Sequence, residues 1–209
     1  MDLKSDLKKA LESLRKSGER KFNQTVDLII NLQKFDSKKN QINLFVTIPF
    51  KVKEKKIAGF LEVQNKGVET ITPEQFKRYS EKKDLKKLVK KFDFFIAQAS
   101  VMPRVATTFG RVLGPAGKMP SPQLGILMNV NDKEVEELKR KISNSVRIKI
   151  KEASIKLAIG KQSMKDEEII ENVISVYNAM LKVLPKEAEN VKNIEIKFTM
   201  TKPEKIRIR

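Results

Sequence analysis

The spacing of apolar positions predicts regular elements at both ends of the chain. In residues 2–16 leucines and an alanine recur every three or four residues, which predicts an amphipathic helix. Residues 22–32 (FNQTVDLIINL) alternate at first and become apolar, while 42–48 (INLFVTI) hold a second apolar run, and together they predict two strands. Near the other end, residues 191–200 (VKNIEIKFTM) alternate cleanly and predict a long strand.

The middle of the chain has a different pattern, in which short apolar runs alternate with amphipathic helices. The predicted strands are residues 57–63, 67–71, 92–97 and 146–150, and the predicted helices are residues 73–79, 81–91, 101–113 and 132–142. Short buried strands separated by helices are typical of a small parallel sheet with helices on its faces.

The last part of the chain returns to the first pattern. Residues 155–159 (IKLAI) predict a strand, and residues 206–209 a short final one. Between them Ser163, with Asp166 three residues later, predicts the capped start of a helix that Pro185 ends.

Residues 109–122 (FGRVLGPAGKMPSP) interrupt this pattern with three glycines and three prolines. Proline removes an amide donor and fixes φ, and glycine favours backbone conformations that other residues avoid. We therefore expect no helix or strand to run through the segment. Because it also carries Arg111 and Lys118, it is predicted to be a shaped basic loop.

Charge narrows the range of partners. The 209 residues include 44 Lys and Arg against 26 Asp and Glu, a formal net charge of +18. Such an excess favours a polyanionic partner, with nucleic acid first and an anionic membrane second. No apolar run reaches membrane-spanning length, and the first residues do not resemble a signal peptide, so a cytoplasmic protein is expected.

The chain has no Cys and no His. This excludes disulfides, thiolate or imidazole metal sites, and Ser-His or Cys-His catalysis. A P-loop is also excluded, because with Gly117 and Lys118 in its last places the first glycine would be Val112 and the hydroxyl Met119. We expect no enzyme, no cofactor and no metal.

Several groups of residues have both an ordinary structural interpretation and a functional one. The lysines of residues 82–91 are predicted to form a solvated helix face that adds non-specific attraction to polyanions. Phe22 beside Lys21 is either a core residue or an exposed ring that packs against RNA, and the hydroxyls of Thr199 and Thr201 are either ordinary or bind phosphates and 2′-OH groups. The acidic residues of 132–137 are predicted to be solvated.

Five stretches, in order along almost the whole chain, resemble one family. They are RKFNQTVDLIINL, FDFFIAQASVMP, RVLGPAGKMPSP, IGKQSMKDEEIIENV and FTMTKPEKIRI. RVLGPAGKMPSP is similar to the signature of the large-subunit ribosomal protein L-one family, and the remainder is similar to its archaeal members.

The resemblance implies a two-domain fold. Residues 1–50 and 155–209 would form an α+β first domain, an antiparallel sheet with helices built by both termini. Residues 51–154 would form an inserted, Rossmann-like α/β second domain of three layers, with hinges near residues 49–53 and 153–155.

The resemblance also implies a function and partners. Family members are structural constituents of the large ribosomal subunit that bind the stalk of its rRNA near the tRNA exit site, mainly through the first domain. They assist release of deacylated tRNA and repress translation of their own mRNA. The chain would thus bind rRNA, exit-site tRNA and its own mRNA leader on the cytoplasmic ribosome, bind no membrane, and be a monomer when free. A general basic RNA chaperone and, less favoured, a nucleotide-binding enzyme are the alternatives.

The residues that the resemblance assigns to RNA binding fall into two groups. The primary surface is Lys21, Phe22, Thr25, Asp27, Thr199, Met200 and Thr201, and the secondary contact loop is Arg111, Gly114, Gly117 and Lys118. The sequence departs from the family twice. The family's Thr-Met-Gly-Pro is Thr199-Met200-Thr201-Lys202-Pro203 here, and a usual arginine of the signature is Ala116.

Overall fold

A computed structural model describes residues 3–17, 20–36, 42–65, 67–79, 81–128, 130–150 and 152–206. Residues 207–209 of the predicted final strand lie outside the described residues. Within these ranges the α-helices are α1 Leu3–Lys16, α2 Lys82–Lys91, α3 Met102–Ala116, α4 Asp132–Ser143 and α5 Asp166–Leu181. The strands are β1 Thr25–Leu32, β2 Ile42–Thr47, β3 Ile57–Phe60, β4 Glu69–Ile71, β5 Phe94–Gln98, β6 Ile126–Leu127, β7 Ser145–Ile150, β8 Ser154–Lys161, β9 Val191–Phe198 and β10 Glu204–Ile206. Two short 3-10 helices span Gln75–Tyr79 and Glu187–Asn190.

The chain divides into two compact units. The first unit is residues 1–53 together with 144–209, and the second unit is residues 54–143. The predicted boundary near residue 154 is wrong, because β7 pairs with β2 in an antiparallel ladder that runs from Ile42 opposite Ile150 to Thr47 opposite Ser145. Alternation of apolar and polar residues identifies a strand such as β7 but does not reveal its partner.

An antiparallel sheet in the order β10-β9-β1-β8 organises the first unit. In β1 the alternate side chains of Val26, Leu28, Ile30 and Leu32 are buried, while those between them stay half-exposed. Helix α1 packs against β9 and β10, and α5 against β8 and β2. The leucine stripe of α1 and the apolar face of α5 therefore close the same core as the buried face of the sheet.

A parallel sheet in the order β4-β3-β5-β6 forms the second unit. Residues from α2 and α3 share one apolar cluster with Phe60 and Phe95 of the sheet, and residues from α4 share another cluster with Ile57 and Ile96. The sheet therefore has helices on both faces, which explains why every residue of β3 is buried. The predicted parallel sheet is confirmed for β3, β4 and β5, but β6 was not predicted, and the run at residues 146–150 lies in β7 of the first unit instead.

The helix predicted over residues 101–113 continues to Ala116, so α3 occupies the first half of residues 109–122 and ends there without running through the segment. Pro115 lies in the last turn, where it removes only the amide that would donate to the Arg111 carbonyl, and Gly114 before it has no Cβ to clash with the proline ring. Gly117, at φ 68°, then ends the helix. The amides of Gly117 and Lys118 donate back to the carbonyls of Gly114 (2.9 Å) and Leu113 (3.0 Å).

Several predicted boundaries shift by a few residues. Strand β1 begins at Thr25, so Lys21 and Phe22 precede it. Helix α5 begins at Asp166, and the cap predicted at Ser163 is replaced by a bond from the Lys165 amide to the Glu168 carboxylate (3.2 Å). Strand β9 ends at Phe198. At these shifted ends, polar side chains bond to backbone amides outside the regular elements.

Candidate nucleic-acid interface

Reciprocal hydrogen bonds join Thr25 and Thr199, two residues predicted to bind RNA. The Thr25 amide donates to Thr199 Oγ1 (3.1 Å), and the Thr199 amide donates to the Thr25 carbonyl (3.1 Å). Because β1 and β9 are antiparallel neighbours, the start of β1 lies beside the end of β9. The fold therefore brings together two groups of predicted residues that are about 175 positions apart in sequence.

Gln24 extends this junction to the end of β8. Its side chain is 1 % exposed, and its Oε1 accepts the amide of Met200 (3.0 Å). Its Nε2 donates to Gln162 Oε1 (3.3 Å), and its carbonyl accepts the Gln162 amide (2.8 Å). A buried amide that satisfies groups from three segments fixes the position of all three. The backbone at Met200 is thus held by the buried side chain of Gln24.

Thr201 closes a tight turn after β9. Its amide donates to the Phe198 carbonyl (3.2 Å), and its hydroxyl accepts the Phe198 amide (2.9 Å). Thr201 is not among the described non-glycine residues with positive φ, so its β-branched side chain meets no left-handed strain. Where the family pattern has glycine, this chain therefore uses a hydroxyl that satisfies a strand-end amide.

Two large apolar side chains are exposed around this junction. Phe22 is 51 % exposed and Met200 is 61 % exposed, so the interpretation of Phe22 as a core residue is wrong. Beside Phe22 lies a cleft of about 440 Å³, and the residues that line it are Arg15, Arg20, Lys21, Phe22, Asn23, Gln162 and Ser163. An exposed ring next to several cations and amides suits the bases and phosphates of RNA.

Arg15 of α1 fixes one wall of the cleft. Its guanidinium donates to Asp166 Oδ1 from Nε (2.8 Å) and Nη2 (2.6 Å), and to the carbonyls of Gln162 (2.9 Å) and Met164 (2.8 Å). Such a fork of charge-assisted bonds holds a loop rigidly. On the same wall Asn23 and Ser163 exchange two bonds, from Asn23 Nδ2 to Ser163 Oγ (2.9 Å) and from the Ser163 amide to Asn23 Oδ1 (3.2 Å).

Asp27 lies on the face of the sheet opposite the core, across from Lys197 in the β1–β9 ladder. Burial raises the pKa of Asp27 above its ordinary value, and the nearby Lys197 ammonium offsets part of this rise. The carboxylate would repel a phosphate, so the group it suits is an RNA hydroxyl or amino donor. On the neighbouring strand, Lys161 Nζ donates to Thr25 Oγ1 (3.3 Å).

The four residues of the predicted secondary loop lie in the second unit. Arg111 and Gly114 are exposed on α3, and Gly117 follows it. Lys118 is half-buried, and its ammonium donates to the carbonyls of Val89 (2.7 Å) and Phe92 (2.7 Å) at the end of α2. Lys118 therefore binds the C-terminal end of a neighbouring helix within its own unit, where a cation also interacts favourably with the helix dipole.

Sequence reasoning missed Arg15, Gln24, Asn23, Gln162 and Ser163. Their signal is weak, because a glutamine before a strand and a polar run after one are ordinary features of loops. Only the pairing of β1 with both β8 and β9 places these segments side by side. Among the described residues, no cluster of acidic side chains has the composition of a metal site, and no helix is long and apolar enough to cross a membrane.

Comparison with known proteins decides the family. The sequence model described as the ribosomal protein L1p/L10e family matches residues 14–202. The chain belongs to the ribosomal protein L1p/L10e family. The resemblance seen in the sequence motifs is thereby confirmed. The description of this family is that of a ribosomal protein, in agreement with the prediction that the chain is not an enzyme.

Individual members of the L1p/L10e family are similar over almost their whole length. Large ribosomal subunit protein uL1 of Nanoarchaeum equitans is 32% identical over 201 residues, which cover 91% of this chain and 94% of that protein. The uL1 of Pyrobaculum arsenaticum is 36% identical, covering 95% and 91%, and that of Thermococcus kodakarensis is 33% identical, covering 90% of each. The similarity therefore includes both units described above.

Proposed function

We propose that this chain is a structural protein of the large ribosomal subunit, and that it binds large-subunit rRNA through the junction of β1, β8 and β9 in the first unit. Membership of the L1p/L10e family supports the ribosomal role, and the relatives are named as proteins of the large subunit. The location that follows is the ribosome in the cytoplasm.

The proposal extends to the activities that the family resemblance implies. The chain binds the stalk region near the tRNA exit site, assists release of deacylated tRNA, and represses translation by binding its own mRNA leader. Free of RNA it is a monomer. A net charge of +18 supports each of these RNA partners, because long-range attraction raises the rate of encounter with a polyanion.

One observation carries the RNA-binding proposal: two exposed apolar side chains lie on or beside backbone that hydrogen bonds hold in place, with the buried Gln24 at the centre. Gln24 fixes the backbone at Met200, and Gln24 and Asn23 follow Phe22 directly with bonds to residues 162 and 163. Exposure of both side chains costs favourable burial in the free protein. A rigid framework that presents a ring and a polarizable thioether beside cations is suited to the sugars and bases of a folded RNA.

Recognition on this surface would depend on RNA shape. The hydroxyls of Thr25, Thr199 and Thr201 already bond to neighbouring backbone or side-chain groups, so they offer an RNA only their remaining hydrogen-bond capacity. Direct readout of base edges would therefore be limited. A folded RNA whose sugars and unstacked bases fit the framework would bind, and charge alone would not select it.

The experiment is a titration of stalk rRNA with Phe22→Ala and Met200→Ala variants. Loss of a stacked or closely packed contact is expected to weaken binding by roughly 1–3 kcal/mol each, or about five- to 150-fold. Val183→Ala is the matched control, because Val183 is another exposed apolar side chain of the first unit, just past the far end of the 16-residue α5. Its affinity is expected to stay within about twofold.

A second comparison separates shape from charge. Lys86 is exposed on α2, and Lys86→Ala removes one cation without touching the junction. We expect Thr199→Ala and Met200→Ala to weaken stalk binding far more than Lys86→Ala does. Equal losses from Met200→Ala and Val183→Ala would show that the junction does not carry recognition, and equal losses from Thr199→Ala and Lys86→Ala would show that a single lysine of α2 contributes as much as the junction does.

A further inference from the structure

The two helical layers of the second unit differ sharply in charge. The ten residues of α2 (KKDLKKLVKK) include six lysines and a single carboxylate, and α3 on the same layer adds two arginines and no carboxylate. On the opposite layer, α4 (DKEVEELKRKIS) holds four acidic and four basic residues. The positive charge of this unit is therefore concentrated on the α2–α3 layer.

Three lysines of α2 are exposed and form no salt bridge with any carboxylate of the described residues. Lys87 pairs with Asp84 (3.1 Å) and Lys91 with Glu69 (2.5 Å). Lys83, Lys86 and Lys90 are exposed, and within the described part of the chain no salt bridge reaches any of the three. Spacings of three and four residues put them on one side of the helix, and they span about 10 Å along it.

Helix α3 adds a second row of cations beside the first. Arg104 and Arg111 are exposed and seven residues apart, so both lie on the same side of α3, two turns from one another. Helix α2 packs against α3, and the two share one apolar cluster. Thr107 lies between the arginines and is also exposed.

The chemistry of this layer identifies its partner. We infer that the exposed α2–α3 layer is a second nucleic-acid surface, which binds the sugar-phosphate backbone of RNA through Lys83, Lys86 and Lys90 together with Arg104 and Arg111. Two rows of cations on packed helices match a partner whose negative charges repeat along a chain. Lysine presents a point charge to phosphate, and arginine a bidentate fork.

Other partners fit the layer less well. A helix that binds a membrane surface presents apolar side chains beside its cations. Here Leu85 and Leu88 of α2 are buried, and no large exposed apolar residue among those described lies on α2 or α3. Phe76, Phe92 and Phe109 are buried too. Since the layer offers no exposed phenylalanine on which a base could stack, its binding would be independent of RNA sequence.

The test compares two triple variants of the full chain on a labelled RNA duplex of random sequence. The first variant combines Lys83→Gln, Lys86→Gln and Lys90→Gln. The matched control on the opposite layer combines Lys133→Gln, Arg140→Gln and Lys141→Gln, which are exposed positions of α4. Both variants lose three positive charges, and glutamine is a good helix former, so helix content and the unfolding midpoint should match the parent chain.

The measured quantity is the slope of log K against log salt. Loss of three phosphate contacts is expected to make the slope less negative by about 2 to 3 in the α2 variant. Between about 50 and 200 mM salt, the fall in affinity would then be about 16- to 64-fold smaller than for the parent chain. The α4 variant is expected to change the slope by less than about 1.

Two outcomes would overturn the inference. Equal slope changes in both triple variants would show that total charge, and not the α2–α3 layer, attracts the RNA. A loss of binding to anionic vesicles with unchanged RNA binding would identify a membrane surface. The Phe22→Ala variant should keep the parent slope on this duplex, so the first-unit proposal and the present one fail in separate measurements.

Discussion

Asn172 is expected to stabilise the first unit more than any exposed polar side chain does. It lies on α5 with no exposed surface, and its Oδ1 accepts the Phe50 amide (3.0 Å). Its Nδ2 donates to the carbonyls of Phe50 (2.9 Å) and Ile159 (2.9 Å). Asn172→Ala removes all three bonds and provides no replacement.

The loss in the free energy of unfolding can be estimated from the three hydrogen bonds that the substitution removes. Three hydrogen bonds at about 1 kcal/mol each give a loss of roughly 3 kcal/mol. Ile159 is buried at a β-bulge, where Val26 pairs with Gly160 and Asp27 with Ala158, so Ile159 itself has no opposite residue in the β1–β8 ladder. Loss of the bond to its carbonyl therefore increases the cost. We therefore expect Asn172→Ala to lower the free energy of unfolding by about 3 to 4 kcal/mol.

The assay uses tyrosine fluorescence during urea unfolding. The chain has no Trp and two Tyr, with Tyr177 in the first unit and Tyr79 in the second. In a Tyr79→Phe background the signal reports the first unit alone. Asn31→Ala is the control, because it removes a single bond, to Asn193 Oδ1 (2.7 Å), at a half-exposed position and should cost less than about 1 kcal/mol. The reasoning is refuted if Asn172→Ala costs no more than Asn31→Ala.

Two further predictions follow from the first unit. A chain of residues 1–53 joined by a short turn to 144–209 should unfold cooperatively and keep most of the affinity for stalk rRNA. A chain of residues 1–50 joined to 155–209 should not fold, because it lacks β7 with the buried Ile148 and Ile150. Identical urea unfolding of the two chains, followed by circular dichroism, would contradict this prediction. Burial raises the pKa of Asp27 above 3.8, so the native state binds the proton of this carboxyl more tightly than the unfolded chain does. Protonation of Asp27 therefore stabilises the fold at acid pH, and this stabilisation is lost as pH rises through the raised pKa. Asp27→Asn should therefore raise the urea midpoint at neutral pH and leave it unchanged below the ordinary pKa, and an equal shift at both pH values would refute the assignment.

Periodic patterns predicted the elements but not the pairings on which the site depends. The leucines of α1 and the alternation in β9 identify a helix and a strand, because burial on one side imposes a period on the sequence. Alternation in β7 identifies a strand equally well, but its partner is β2, about 100 residues earlier. A pairing between strands so far apart in sequence cannot be predicted from the local pattern of either strand. The boundary between the two units was therefore placed near residue 154 instead of residue 144.

Glycine and proline were also poor guides to where α3 ends. Glycine and proline in residues 109–122 predicted an interruption, but Pro115 follows Gly114 in the last turn of α3, where the helix tolerates it. Phe22 and Met200 were named through the family resemblance, and their exposure became visible only in the fold. Gln24 had no sequence signal, because its role comes from burial between two strands that are distant in sequence.

The pairing of β2 with β7 has a consequence for the order of folding. The Ile48 amide donates to the Asn144 carbonyl (2.7 Å), so the chain enters and leaves the insertion at adjacent points. Before the insertion folds, this ladder must close a loop of about 95 flexible residues, and such distant contacts form slowly. Local contacts within residues 54–143 close shorter loops. The insertion should therefore reach its native structure first and bring β2 and β7 within reach of each other, and only then can this two-stranded sheet of the first unit form.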